Sequence, residues 1–117
     1  MIQTASSKEQ DIDSLAIIDE VHLTTFTDGD ATLEEELGTL FIKTALGYVK
    51  RMKEALSAGR AWSAEAHALK GASGNLGARR VAALARRAEL EPPSQDQIDA
   101  ILSAIDDVES FFADRAP

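Results

Sequence analysis

The residues best suited to chemistry lie in one stretch, Ala66-His67-Ala68-Leu69-Lys70-Gly71-Ala72-Ser73-Gly74-Asn75-Leu76-Gly77. At about 100° per residue, the turn of an α-helix, His67, Lys70, Gly71 and Gly74 share one side. Trp62, Leu69 and Leu76 fall on roughly the opposite side. The apolar stripe therefore points into a core and the histidine points to water. An imidazole is partly neutral near pH 7, so a ring nitrogen can attack phosphorus or accept a proton. Lys70, at i+3, puts an ammonium in the same patch. A glycine inside a helix costs about 1 kcal/mol relative to alanine. Two of them beside a histidine need a reason, and a bare backbone that lets another molecule come close supplies one. A lone histidine on a helix is most often a plain surface residue. Here, however, the small residues gather on the histidine's side and not on the core side.

The remaining residues offer no rival centre. There is no G-x-x-x-x-G-K-[ST] loop, no kinase Gly-rich loop, no H-E-x-x-H and no serine triad. The only other histidine, His22, has no glycine or lysine patch and reads as a surface residue near a helix end, so a multi-histidine metal centre is not expected. With no cysteine, thiol nucleophiles, thiolate zinc sites and disulfides are excluded, a usage that fits the cytosol. Glu34, Glu35 and Glu36 are consecutive, so their side chains fan around a helix start into solvent.

The elements that must carry His67 are helical. Residues 1–10 are polar and read as a disordered arm. A short first helix is expected over Leu15, Ile17, Ile18 and Val21, capped within Asp11–Ser14 and ending near His22. Thr27-Asp28-Gly29-Asp30 is a turn. A second helix starts near Asp30–Thr32, with Thr32-x-x-Glu35 as a capping box and Leu33, Leu37, Leu40 and Phe41 at helical spacing. Gly47 is a possible break in it, and Gly59 is its stop. The motif helix runs from about Ala61 to Leu76 and Gly77 ends it. A further helix covers Ala78 to Leu90 with Val81, Leu84, Ala85 and Ala88 inward, and Pro92-Pro93 closes it. After a second capping box, Ser94-x-x-Gln97, the last helix carries Ile98, Ile101, Leu102, Ile105, Val108 and Phe112. Nothing alternates with period two. The fold expected is all-α, an antiparallel four-helix bundle with a short additional N-terminal helix, forming one domain over residues 11–115.

His67-Ala68-Leu69-Lys70-Gly71, with small Gly74 and then Gly77, resembles the histidine-containing phosphotransfer (HPt) domain of multistep phosphorelays. The family pattern is H-x-[LI]-K-G with a glycine six residues on. The flanks agree: an upstream helix through Met52-Lys53-Glu54-Ala55-Leu56 and a downstream one over Val81–Glu91. The resemblance covers about residues 15–112. It implies the same bundle and a phosphoryl carrier, not an enzyme. His67 would accept a phosphoryl group on Nε2 from a receiver-domain aspartyl phosphate and pass it to another receiver. Lys70 would face the phosphoryl oxygens. Gly71, Gly74 and Ser63 would meet the partner, and Gly77 would be structural. The partners implied are receiver domains of response regulators or hybrid histidine kinases. The chain would bind no cofactor and no metal, because the Mg²⁺ belongs to the partner's acidic pocket. Gly74 departs mildly from the pattern, since serine or alanine is common there.

The bulk properties bound these readings. With 117 residues, 44% hydrophobic and 5% aromatic, the chain can bury one helical core. Its net charge of −8 opposes binding to nucleic acid through phosphates. Arg79, Arg80, Arg86 and Arg87 form a basic strip, either a solvated helix face or a dock for an acidic partner. No apolar run approaches the ~20 residues of a membrane span, and the first ten residues do not resemble a secretion signal. A cytoplasmic monomer is expected. The alternative is a helical adaptor that docks on a receiver or kinase and regulates it without being phosphorylated. A general acid–base enzyme using His67 is weaker, because only Lys70 stands beside it.

Overall fold

Apolar residues at helical spacing, closed off by glycine and aspartate, give five helices in a computed structural model that describes residues 12–115. They are α1 (Glu20–Thr27), α2 (Ala31–Ala58), α3 (Ser63–Leu76), α4 (Arg79–Leu90) and α5 (Gln95–Arg115), with no strand among the described residues. The expected arm, residues 1–10, lies outside that range. Each of α2 to α5 packs on the next, and α5 returns to α2, closing a ring of four. Among the described residues no helix is long and apolar enough to cross a membrane.

The core is what the spacing requires. Phe41, Ala45, Val49, Met52 and Ala55 form the buried stripe of α2. They meet Ala66 and Leu69 of α3, Val81, Ala85 and Ala88 of α4, and Ile98, Ile101, Ile105 and Val108 of α5. Gly47 does not break α2. One helical glycine costs about 1 kcal/mol, and burial of a Phe or Met side chain alone returns about 1.5–3 kcal/mol. Gly38 has a packing reason, because the Phe112 ring occupies the space a side chain there would need.

Two N-termini differ from the expected caps. Asp30, not Thr32, caps α2: its Oδ1 accepts from the Leu33 N–H at 3.0 Å. The first helix is displaced further. Residues 12–14 make one helical turn, 15–19 are irregular, and α1 starts only at Glu20, where Asp19 accepts from the His22 N–H at 3.1 Å. An aspartate that caps locally outbids the apolar residues before it. Ile18 still reaches the core from the irregular stretch, whereas Val21 is 77% exposed. At the second expected capping box only half forms. Ser94 Oγ accepts from the Gln97 N–H at 3.3 Å, but the Gln97 side chain donates to Glu91.

Glu34 is not solvated. It is 5% exposed, and its carboxylate takes Arg115 Nη2 at 2.6 Å and the Thr27 hydroxyl at 2.9 Å. Arg115 also reaches Glu20 at 2.8 Å, so the end of α5 clasps α1 and α2 together. The Arg115 hydrogen bond is the chief reason the Glu34 carboxyl titrates below its ordinary range. Glu34 and its exposed neighbours Glu35 and Glu36, on one turn, thus have opposite fates. The sequence spacing alone did not distinguish them.

Candidate functional site

Helix α3 exists because Ala66, Leu69, Ser73 and Leu76 have a core to enter. Ser73 is fully buried and satisfies its hydroxyl on the Leu69 carbonyl at 2.7 Å. That orientation turns His67 outward, with 66% of its side chain exposed. Beside it, a side chain built on Gly71 or Gly74 would meet nothing within 4 Å. Ser63, one turn earlier, is exposed. The histidine, both glycines and the serine therefore share one face of α3.

Helix α4 supplies a residue that sequence reasoning passed over. Glu89 follows the fully buried Ala88 and stands at the seam with α3. The register across the seam is held by Trp62, whose indole N–H donates to the Ala88 carbonyl at 2.8 Å. Glu89 Oε2 lies 2.9 Å from His67 Nδ1, and its Oε1 lies 3.2 Å from Lys70 Nζ. The hydrogen bond to His67, then Lys70, holds the Glu89 carboxyl below its ordinary range against the opposing effect of burial. An ionised carboxylate only accepts, so Nδ1 carries the proton. In the neutral ring the lone pair is then on Nε2. Lys70 was expected to face incoming phosphoryl oxygens, but in this state it is engaged by Glu89. Glu89 is 22 residues from His67. Only the register of two packed helices brings them together, and no spacing within one helix announces it.

The corner after α3 is more than a stop. Gly77 has φ 88°, which ends the helix, and a side chain on it would come within 3.0 Å of the His22 ring. His22 Nε2 donates to the Asn75 carbonyl at 2.9 Å, and the Asp19 N–H donates to the Gly77 carbonyl at 2.8 Å. His22 is therefore half-buried and seals the C-terminus of the motif helix, which corrects its reading as a plain surface residue. The helix's last carbonyls need partners, and an imidazole N–H is a suitable one.

The basic strip divides. Arg79 pairs with Asp19 at 2.9 Å, and Arg80 donates to the carbonyls of Asp13 and Leu15. These two arginines fasten the N-terminal segment. Arg86 remains exposed. On the α2 side of the motif helix, exposed Phe26 and Leu40 join Thr44, Ala72 and Asn75 around a shallow groove of about 220 Å³. Among the described residues no cluster of three or more histidine, aspartate or glutamate side chains could hold a metal.

The model of the Hpt domain family matches residues 36–111, which include α3 and α4 whole. No curated protein and no solved structure matches the chain. The family match spans well over half of the sequence: the chain belongs to the Hpt domain family, whose members are phosphocarrier modules of phosphorelays rather than catalytic enzymes.

Proposed function

We propose that the chain is a phosphorelay intermediate whose acceptor is His67. The observation that carries this is the 2.9 Å contact of Nδ1 with Glu89 on a ring that is otherwise exposed. With Nδ1 protonated, Nε2 is the nucleophile. It attacks the phosphorus of an aspartyl phosphate on a receiver domain, the acyl oxygen leaves, and the phosphoryl group rests on Nε2. The reverse step on a second receiver passes it on. The partner's acidic pocket and its Mg²⁺ would neutralise charge during transfer. This chain contributes the nucleophile and a surface.

Gly71 and Gly74 give the partner's loops clearance, and Ser63 sits on the same face. The apolar groove beside Ala72 and Asn75 extends that face toward Phe26 and Leu40. Lys70 would leave Glu89 for the phosphoryl oxygens once they arrive, because a dianion attracts the ammonium more strongly than a carboxylate does. The ring of α2 to α5 is read as an antiparallel four-helix bundle, with α1 as the additional short helix. Receiver domains of response regulators or hybrid kinases as partners, a monomeric state and a cytoplasmic location belong to the same proposal.

The test is incubation with a phosphorylated receiver domain. Acid-labile, base-stable label should appear on the wild-type chain and be absent from His67→Gln. Equal labelling of the variant would refute the assignment. Inhibition of a partner that survives His67→Ala would favour the adaptor reading instead.

A further inference from the structure

We propose that Glu89 keeps a proton on Nδ1 of His67 after the phosphoryl group has been attached, and thereby sets how readily the phosphohistidine gives that group up. This rests on the reading of His67 as the acceptor, and extends it from the free ring to the loaded one.

The geometry allows one contact to serve both states. The phosphoryl group attaches at Nε2, across the ring from Nδ1, so it does not displace Glu89 Oε2 at 2.9 Å. The carboxylate is not free to swing away. The backbone of the preceding residue, Ala88, is pinned by Trp62, which keeps Glu89 at the α3–α4 seam whether or not Lys70 stays on its other oxygen. A fixed negative charge beside Nδ1 favours the protonated ring.

The proton decides the leaving group. When the N–P bond breaks, its electron pair returns to Nε2 and the phosphoryl group passes to an aspartate carboxylate of a receiver or to water. If Nδ1 is protonated, the departing ring is neutral imidazole. If it is not, the ring must leave as imidazolate, a far stronger base and a far poorer leaving group. Lys70 opposes a second positive charge, but in the loaded state it is neutralised by the phosphoryl dianion it moves to, which leaves the full charge of Glu89 on Nδ1. Arg51 of α2 lies over the Tyr48 ring at 4.9 Å, and Arg86 of α4 is exposed to solvent. The balance favours the protonated form, because the carboxylate is in direct contact.

The experiment loads the full chain chemically with potassium phosphoramidate. Decay of the His67 phosphorus signal, recognised by its absence in His67→Gln, is followed by ³¹P NMR from pH 5 to 9. In the wild type, rapid decay should persist to higher pH than in Glu89→Gln, which keeps an acceptor but loses the charge. A displacement of about one pH unit makes the variant's phosphohistidine roughly ten-fold longer-lived on the alkaline side. Glu89→Ala should show the same displacement, and its thermal melt separates this from unfolding. Superimposable pH profiles for the three proteins would overturn the proposal. A second arm offers each protein label from a phosphorylated receiver domain. Transfer with superimposable profiles sinks this inference alone. Displaced profiles without any transfer from the receiver support it and sink the relay reading.

Discussion

Replacing Gly71 and Gly74 by alanine should make the protein more stable and a worse partner. Both lie inside α3 with ordinary helical backbone, and a methyl group at either would meet nothing within 4 Å. The change therefore carries no packing penalty, and the helix gains about 1 kcal/mol at each position. The double variant should gain about 2 kcal/mol. For a chain of this size that raises the melting temperature by roughly 6–10 °C, which differential scanning calorimetry reads directly. Gly38→Ala is the control that should give no gain. Its methyl would lie 2.7 Å from the Phe112 ring, so the ring must move, at a cost of about 1–3 kcal/mol that cancels or exceeds the propensity gain. In the transfer assay, Gly71→Ala and Gly74→Ala should each slow loading from a phosphorylated receiver at least several-fold. Their loading by phosphoramidate, a molecule small enough to need no clearance, should match the wild type. A double variant that is stabilised yet transfers at the wild-type rate would show that the glycines provide no clearance. A destabilised one would show that the space around them is not open.

The acid limb of stability should depend on Glu34. Its folded pKa lies below its ordinary value of 4.5, so its contribution is present above that pH and is lost as the pH falls through the folded value; circular-dichroism melts from pH 7 to 3 should show a shallower decline for Glu34→Gln. Asp19 and Glu89, also lowered, act in the same direction and should leave part of the slope in that variant. Gly77→Ala should cost about 2–4 kcal/mol, combining left-handed backbone at φ 88° with a close approach to His22, and chemical denaturation would measure it.

The helices of the core were legible because burial and periodicity coincide there. The stripes of α2 and α5 repeat every three or four residues and face one another, so the apolar spacing was sufficient. Gly59 and Gly77 were legible as stops because each adopts the left-handed conformation that ends a helix. Where a short-range polar contact competed with an apolar pattern, the pattern misled. Asp19 and Asp30 capture their own N-termini and move the starts of α1 and α2. Leu15, Ile17 and Ile18 suggested a helix, but Ile18 reaches the core from irregular chain.

The site divides along the same line. His67, Lys70, Gly71 and Gly74 lie on one helix, whose geometry is fixed by residue spacing. Glu89, His22 and Arg115 act across elements 22 to 95 residues apart in the sequence. Their partners depend on how whole helices register, which local periodicity does not encode. Glu34 illustrates this sharply, since the arginine that makes it a buried residue stands 81 positions later.

The burial of Trp62 gives the chain a built-in optical reporter with a narrow field of view. It is the single tryptophan, is 1% exposed, and donates its indole N–H to α4. Its emission should be blue in the native state and shift to the red only when α3 and α4 separate. Detachment of the N-terminal segment from the Gly77 corner would leave that emission unchanged. A fluorescence transition that lags the loss of ellipticity would therefore mark a partly unfolded species in which the helix carrying His67 is still docked.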